Sequence, residues 1–114
     1  MIIKRGDVFF IALDPAVGRE ISKTRPGVVV SNDKNNEFSG TVTILPVTSG
    51  HLRKIYPFEV FLPRGTADLP KDSKVKADQI RTLDRSRLVS RIGRLDGREM
   101  AKIEDAMRIH LGFF

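Results

Sequence analysis

Arg25 and Thr48 are the two residues whose types and settings could do chemistry. Arg25 lies in Lys23-Thr24-Arg25-Pro26-Gly27-Val28-Val29-Val30-Ser31-Asn32, where a polar loop meets a β-branched run. Pro26 removes a backbone donor and disfavours helix at the residue before it, so Arg25 is held extended at the mouth of a strand. An arginine fixed in this way is partly preorganised and offers an anion a permanent fork of donors. Thr48 lies beyond Thr41-Val42-Thr43-Ile44-Leu45-Pro46, so that Thr48 and Ser49 present hydroxyls at a strand end. The competing reading of Arg25 is structural: a strand cap paired with Glu20 or Asp14.

The other residue types narrow the choice. There is no cysteine, which removes disulfides, thiolate metal sites and a cysteine nucleophile. The two histidines, His51 in a loop and His110 near the chain end, are too far apart in sequence to suggest a two-histidine acid/base pair. Asp68, Asp72 and Asp78 are spaced as loop and strand-end residues, not as a magnesium cluster. No phosphate-binding glycine loop, zinc spacing or Gly-x-Ser-x-Gly elbow occurs. What remains is arginine, hydroxyl and carboxylate chemistry, with no metal and no cofactor.

Cleavage of RNA can run on those groups. The nucleophile, a 2′-hydroxyl, comes with the substrate, and the protein must bend the backbone toward in-line attack and stabilise charge on a pentavalent phosphorane. Fixed donors aimed at developing charge do this. The overall charge agrees: 20 Lys and Arg against 14 Asp and Glu give +6, which favours an anionic partner such as nucleic acid or an acidic protein. Arg81, Arg85, Arg87, Arg91, Arg94 and Arg98 crowd together in sequence and strengthen that expectation.

The elements that must position these residues read as mainly β. With 114 residues, 40% apolar and 30% charged, the chain suggests one globular domain. Asp7 to Asp14 lacks polar alternation and reads as a strand buried on both faces. A polar loop from Asp14-Pro15 to Thr24 leads to the Val28 strand, which stops at the turn formers Ser31 to Asn36. Pro46 implies an edge or a bulge in the Thr41 strand. After a loop over residues 51–56, Pro57 to Pro63 and Ser73 to Ala77 read as short strands, the second half-exposed. Arg64 to Asp72 between them reads as a surface loop. Asp78 to Leu83 continues or follows the second strand, and Leu88 to Leu95 is a strand with imperfect alternation. Asp96 and Glu99 form a capping box for a C-terminal helix that places Met100, Ile103, Met107 and Leu111 on one face and closes at Gly112. Phe113-Phe114 reads as an apolar end used in core or dimer packing. Short strands with exposed edges point to a closed small barrel with the helix packed on it. The longest apolar run, Val8 to Leu13, is too short to span a bilayer, and the first residues lack a signal-peptide core. The expected setting is therefore cytoplasmic, away from any membrane.

Four blocks in order resemble the MazF/PemK family of bacterial toxin ribonucleases, or mRNA interferases. They are Lys4-Arg5-Gly6-Asp7; Asp14-Pro15 through Gly18-Arg19-Glu20 to Lys23-Thr24-Arg25-Pro26-Gly27-Val28-Val29-Val30-Ser31-Asn32-Asp33; Pro46-Val47-Thr48-Ser49; and Asp78-Gln79-Ile80-Arg81-Thr82-Leu83-Asp84-Arg85 with Arg87-Leu88 and Ile92-Gly93. The resemblance implies an SH3-like barrel working as a homodimer. It also implies metal-independent cleavage of single-stranded RNA at a short sequence, leaving a 2′,3′-cyclic phosphate and a 5′-hydroxyl. An acidic, MazE-like antitoxin would hold the toxin inactive by covering the RNA groove, and would link the pair indirectly to DNA. The family's catalytic arginine falls on Arg25 and its catalytic threonine on Thr48. Glu20, Ser22, Lys23, Ser49, Arg53, Asp78, Gln79 and Arg81 are the residues expected to contact RNA. Two departures bear on substrate contacts: Glu20-Ile21-Ser22 replaces Glu-Gln-Gly, and Asp78 stands where a glutamate is common. Two rivals stay open: a same-fold toxin that inhibits a protein target, as related gyrase poisons do, and a non-catalytic RNA-binding barrel.

Overall fold

The computed structural model describes residues 1–113, in which seven strands, two α-helices and three single 3-10 turns are arranged around one antiparallel sheet. The strands are β1 Asp7–Ala12, β2 Thr24–Val29, β3 Thr41–Thr48, β4 Glu59–Leu62, β5 Ser73–Lys76, β6 Arg81–Asp84 and β7 Leu88–Arg94. The helices are α1 Asp33–Phe38 and α2 Gly97–Leu111. Neighbouring strands follow the order β4-β5-β3-β2-β1-β7, and β6 pairs with the first half of β3.

The near-continuous apolar run of β1 has its reason in two cores. Val8 joins Val28, Leu45, Val47, Val60 and Val75 beneath α2, whereas Phe9 and Ile11 point the other way, toward Val29, Val42, Ile44, Leu83 and Leu88. Phe10 alone departs from the expected burial, at 36% exposed. The broken alternation of β7 also has a structural cause, since its pairing with β1 shifts register twice.

The mainly β class with a C-terminal helix holds, but the expected closure of the sheet does not. No β4–β7 pairing completes a ring among the described residues. The 3-10 turn Thr66–Asp68, inside the stretch read as a surface loop, packs on β7, and α2 lies against β4. The edges are thus covered by a turn and a helix instead of by hydrogen bonds. Gly93 makes the first contact possible: a Cβ there would sit 2.3 Å from the Ala67 carbonyl oxygen. Gly93→Ala is therefore expected to destabilise the protein by about 1–3 kcal/mol through overpacking. Gly40→Ala, in open space, is the control and should stay within about 1 kcal/mol in denaturant unfolding.

Other expectations need correcting. The turn formers after Ser31 wind into α1, because the Asn32 side chain caps the Asn35 N–H and starts a helix. Pro46 marks neither an edge nor a bulge, but lies inside β3 opposite Gly27. It sits where the second neighbour of β3 changes from β6 to β5, so no ladder bond is lost there. Ser73, Lys74 and Val75 are buried, not half-exposed. The helix follows expectation, with the Asp96–Glu99 capping box formed in both directions and Gly112 in the left-handed region. The Glu99 N–H, together with its side chain and the Arg98 N–H, holds the Asp96 carboxyl below its ordinary range against desolvation. Met100 and Ile103 are buried, but Leu111 is 44% exposed in the last turn. Phe113 is exposed, and Phe114 lies outside the described residues.

The arginine cluster is mostly spent on the fold. Arg81 donates to the Leu13 carbonyl, Arg85 to those of Met1 and Asn36, and Arg87 to those of Ala12 and Asp14. Arg91 and Arg94 converge on the buried Asp7 carboxylate at 3.3 and 2.9 Å. An arginine count in sequence overstated the surface available to an anion.

Candidate active site

The site lies on the face of the sheet that carries the second core, where that core runs out. The β2–β3 ladder ends at Gly27↔Pro46, and Arg25 and Thr48 each lie two residues beyond that last pair on their strands. Thr48 in turn pairs directly with Lys74 of β5. Residues facing each other across antiparallel strands bring their Cβ atoms to about 5 Å. Thr48 and Lys74 thus form one row, and Arg25 lies near the start of β2.

The loop before β2 and the loop after β3 rise on either side of this row and enclose an open cleft of about 730 Å³. Arg25 and Thr48 both line it. Among the described residues Arg25 pairs with no carboxylate, and its single bond is a long one, 3.4 Å from Nε to the Ser22 carbonyl. The strand-cap reading of Arg25 fails on this point, since Glu20 instead caps the Val17 N–H at 2.7 Å. Thr48 Oγ1 accepts the Gly50 N–H at 3.1 Å, which leaves the hydroxyl hydrogen free to point into the cleft.

Both loops are held in forms that extended chain would not give. Lys23 and His51 have φ of 68° and 55°, in the left-handed region. Non-glycine residues there cost on the order of 1 kcal/mol and cluster at functional sites. Gln79 fastens the first loop: its Oε1 accepts the Ile21 N–H at 3.2 Å and its Nε2 donates to the Arg19 carbonyl at 3.3 Å. Its amide keeps one further donor and one further acceptor position, and Gln79 also lines the cleft.

The remaining sequence candidates divide. Glu20, Ser22 and Asp78 line the cleft. Asp78 Oδ1 is buried and pairs with Lys76 Nζ at 3.7 Å. Ser49 lies instead in a smaller cavity of about 180 Å³ that reaches Arg25 from the other side, with Phe10 and Thr24. Arg81 borders a side cavity beside Asp78 and Gln79. Lys23 and Arg53 line none of these three hollows.

Five contributors escaped the sequence reading. Tyr56 and Phe58 stack at 5.4 Å and line the cleft as an aromatic wall, with Lys54 Nζ 4.7 Å above the Tyr56 ring. Glu59 and Lys74, from adjacent strands, lie buried behind it, and Lys76 completes their cluster. Burial opposes the charged form of Glu59. The Tyr56 N–H, Lys76 and Lys74 outweigh it, so the carboxyl is held below its ordinary value. Burial likewise works against charge on Lys76, and bonds to Glu59 and Asp78 overcome it and raise its value. The alternation Lys74-Val75-Lys76 was the one signal in sequence, and it reads equally as a solvated strand.

Comparison with known proteins agrees with this geometry. Residues 4–111 match the model of the PemK-like, MazF-like toxin of type II toxin–antitoxin systems. Endoribonuclease MazF9 of Mycobacterium tuberculosis is 41% identical over 96% of this chain and 97% of its own length. Endoribonuclease EndoA of Bacillus subtilis is 38% identical over 97% and 96%. The crystal structure of MazF from Deinococcus radiodurans superposes with a TM-score of 0.84 at 30% identity, covering 98% of each chain. With a match along nearly its whole length, the chain belongs to the PemK-like, MazF-like family of toxins of type II toxin–antitoxin systems.

Proposed function

We propose that this endoribonuclease cuts single-stranded RNA with Arg25 and Thr48, at a short sequence and without a metal ion. The observation that carries the reading is an arginine free of carboxylate partners, lining the same cleft as a threonine whose hydroxyl hydrogen is free. The substrate 2′-hydroxyl attacks the adjacent phosphorus, the bond to the 5′-oxygen breaks, and a 2′,3′-cyclic phosphate and a 5′-hydroxyl result. One proton passes in net from O2′ to O5′, and water in the open cleft can carry it. Arg25 stabilises the charge gathering on the phosphorane oxygens, and the Thr48 hydroxyl donates one more bond to them. Guanidinium keeps its proton, so charge stabilisation is its role, not acid/base transfer.

The stacked Tyr56 and Phe58 suit unpaired bases, and Asp78 lines the same cleft. An acidic partner fits the +6 chain. A mycobacterial endoribonuclease 26% identical to this chain has been solved with its cognate antitoxin, and Deinococcus MazF with MazE. By analogy the working form is a cytoplasmic homodimer that a MazE-like antitoxin inhibits, with DNA reached only through that antitoxin. No helix among the described residues is long and apolar enough to cross a membrane.

The test is incubation of the purified protein in excess chelator with a long single-stranded RNA that covers all short motifs. Fragments ending at one repeated motif, with cyclic-phosphate ends, are expected. Intact RNA would overturn the proposal and favour inhibition of a protein target. RNA bound with salt-dependent affinity but left whole would favour the non-catalytic barrel.

A further inference from the structure

We infer that Lys74 is a positioning residue for the cleavage step: it fixes the segment that follows Thr48 and thereby aims the Thr48 hydroxyl. The inference rests on the reading of Thr48 given above. By register Lys74 faces away from the core beneath α2, since its neighbour Val75 is the one packed there between Val47 and Val60. A lysine on that outer face would ordinarily be solvated, yet its side chain is only 4% exposed. The chain after β3 folds back over it. All three ammonium hydrogens have acceptors: the His51 carbonyl at 2.8 Å, the Lys54 carbonyl at 3.3 Å and Glu59 Oε1 at 3.0 Å.

Two consequences follow from that saturation. Lys74 has no donor left for a phosphate, so it does not act on the substrate directly. Its two carbonyl bonds do tie down residues 51–54, three to six positions after Thr48. Between anchor and threonine lies Gly50, whose N–H orients the Thr48 oxygen, and His51 is held at φ 55° next to it. Without the anchor, nothing in the neighbouring residue types would keep His51 left-handed, and relaxation of that residue swings the Gly50 N–H away from Thr48. Glu59 completes the support from β4 through Lys74 and the Tyr56 N–H.

The test is Lys74→Met, which keeps the stem and removes the donors, together with Lys74→Met/Glu59→Gln, which also removes the buried carboxylate charge. Cleavage at saturating RNA should fall about 10- to 100-fold in both, the scale of a small misplacement of a reacting group. Affinity for a 2′-O-methyl RNA that cannot be cut should stay within about twofold, because binding groups are untouched. Gly50 amide hydrogen exchange should accelerate in both variants, a readout that needs no RNA. If Lys74 serves only to neutralise Glu59, the double variant recovers full cleavage and slow Gly50 exchange, and the inference is overturned. Cleavage within about twofold of wild type, corrected for folded fraction, overturns it as well. If Lys74→Met does not fold, the double variant alone decides. An inactive wild type would count against the proposed function, whereas slow Gly50 exchange in the variants would count against the role of Lys74.

Discussion

Arg25→Ala is expected to lower RNA cleavage by about 10²- to 10³-fold, the loss seen when one preorganised donor to a developing oxyanion is removed. Its thermal midpoint should stay at the wild-type value. The two halves of this expectation come from the same fact: Arg25 is exposed, makes no ion pair, and gives the fold only one long bond to the Ser22 carbonyl. A residue so lightly used by the structure can be removed without structural cost, and its preorganisation comes from Pro26 and the β2 register instead. Arg25→Lys should recover only part of the rate, since a point charge on a flexible stem does not reproduce the planar fork. Affinity for uncleavable RNA should fall far less than the rate, because the cleft retains Arg19, its aromatic wall and the Asp78 acceptor. Single-turnover cleavage, binding to a 2′-O-methyl RNA and a melting curve on the same preparations separate these effects. Turnover close to wild type in a neutral variant of matched bulk would remove Arg25 from the chemistry.

The placing of Arg25 and Thr48 at one cleft was legible because local rules governed it. Pro26 fixes the backbone at Arg25, and a strand end after Pro46 exposes Thr48; each statement needs only a few adjacent residues. The helix was equally readable, since Asp96 and Glu99 cap within one turn. What failed to show was anything decided across the chain. Nothing near Gln79 in sequence reveals that its amide also fastens the loop at Ile21 and Arg19. The arginines from Arg81 onward looked like an anion surface, because their carbonyl partners lie more than forty residues away. Closure was misjudged for a related reason. A sheet edge can be hidden by pairing or by packing, and only the contact of Gly93 with Ala67 shows which was used. Lys74 and Glu59 are the sharpest case, two charged residues on short strands whose burial depends on a loop folding over them.

That burial supports the largest stability effect expected in the molecule. Glu59→Ala should destabilise the protein by about 3–5 kcal/mol, the usual result of removing one partner from a buried ion pair. Lys74 would keep two carbonyls but lose its counter-charge, the Tyr56 N–H would lose its acceptor, and Lys76 would retain only Asp78. For a domain of this size the loss amounts to roughly 10–20 °C in the melting midpoint. Glu59→Gln keeps an acceptor for Lys74 and the Tyr56 N–H, so about 1.5–3 kcal/mol is expected there, the worth of hydrogen bonds to a charged group. The pH dependence gives an independent check of sign. Glu59 titrates below its ordinary 4.5 in the folded protein, so its contribution is complete above that pH and is lost as pH falls through the folded value. Lys76 titrates above its ordinary 10.5, so its contribution is complete below that pH and is lost as pH rises through the folded value. Wild type should therefore hold a stability plateau between these limits, and Glu59→Gln should show a shallower decline on the acid side. An acid limb of equal slope in wild type and Glu59→Gln would mean that the carboxylate is not charged in the fold, and the account of the Lys74–Glu59–Lys76 cluster would fall with it.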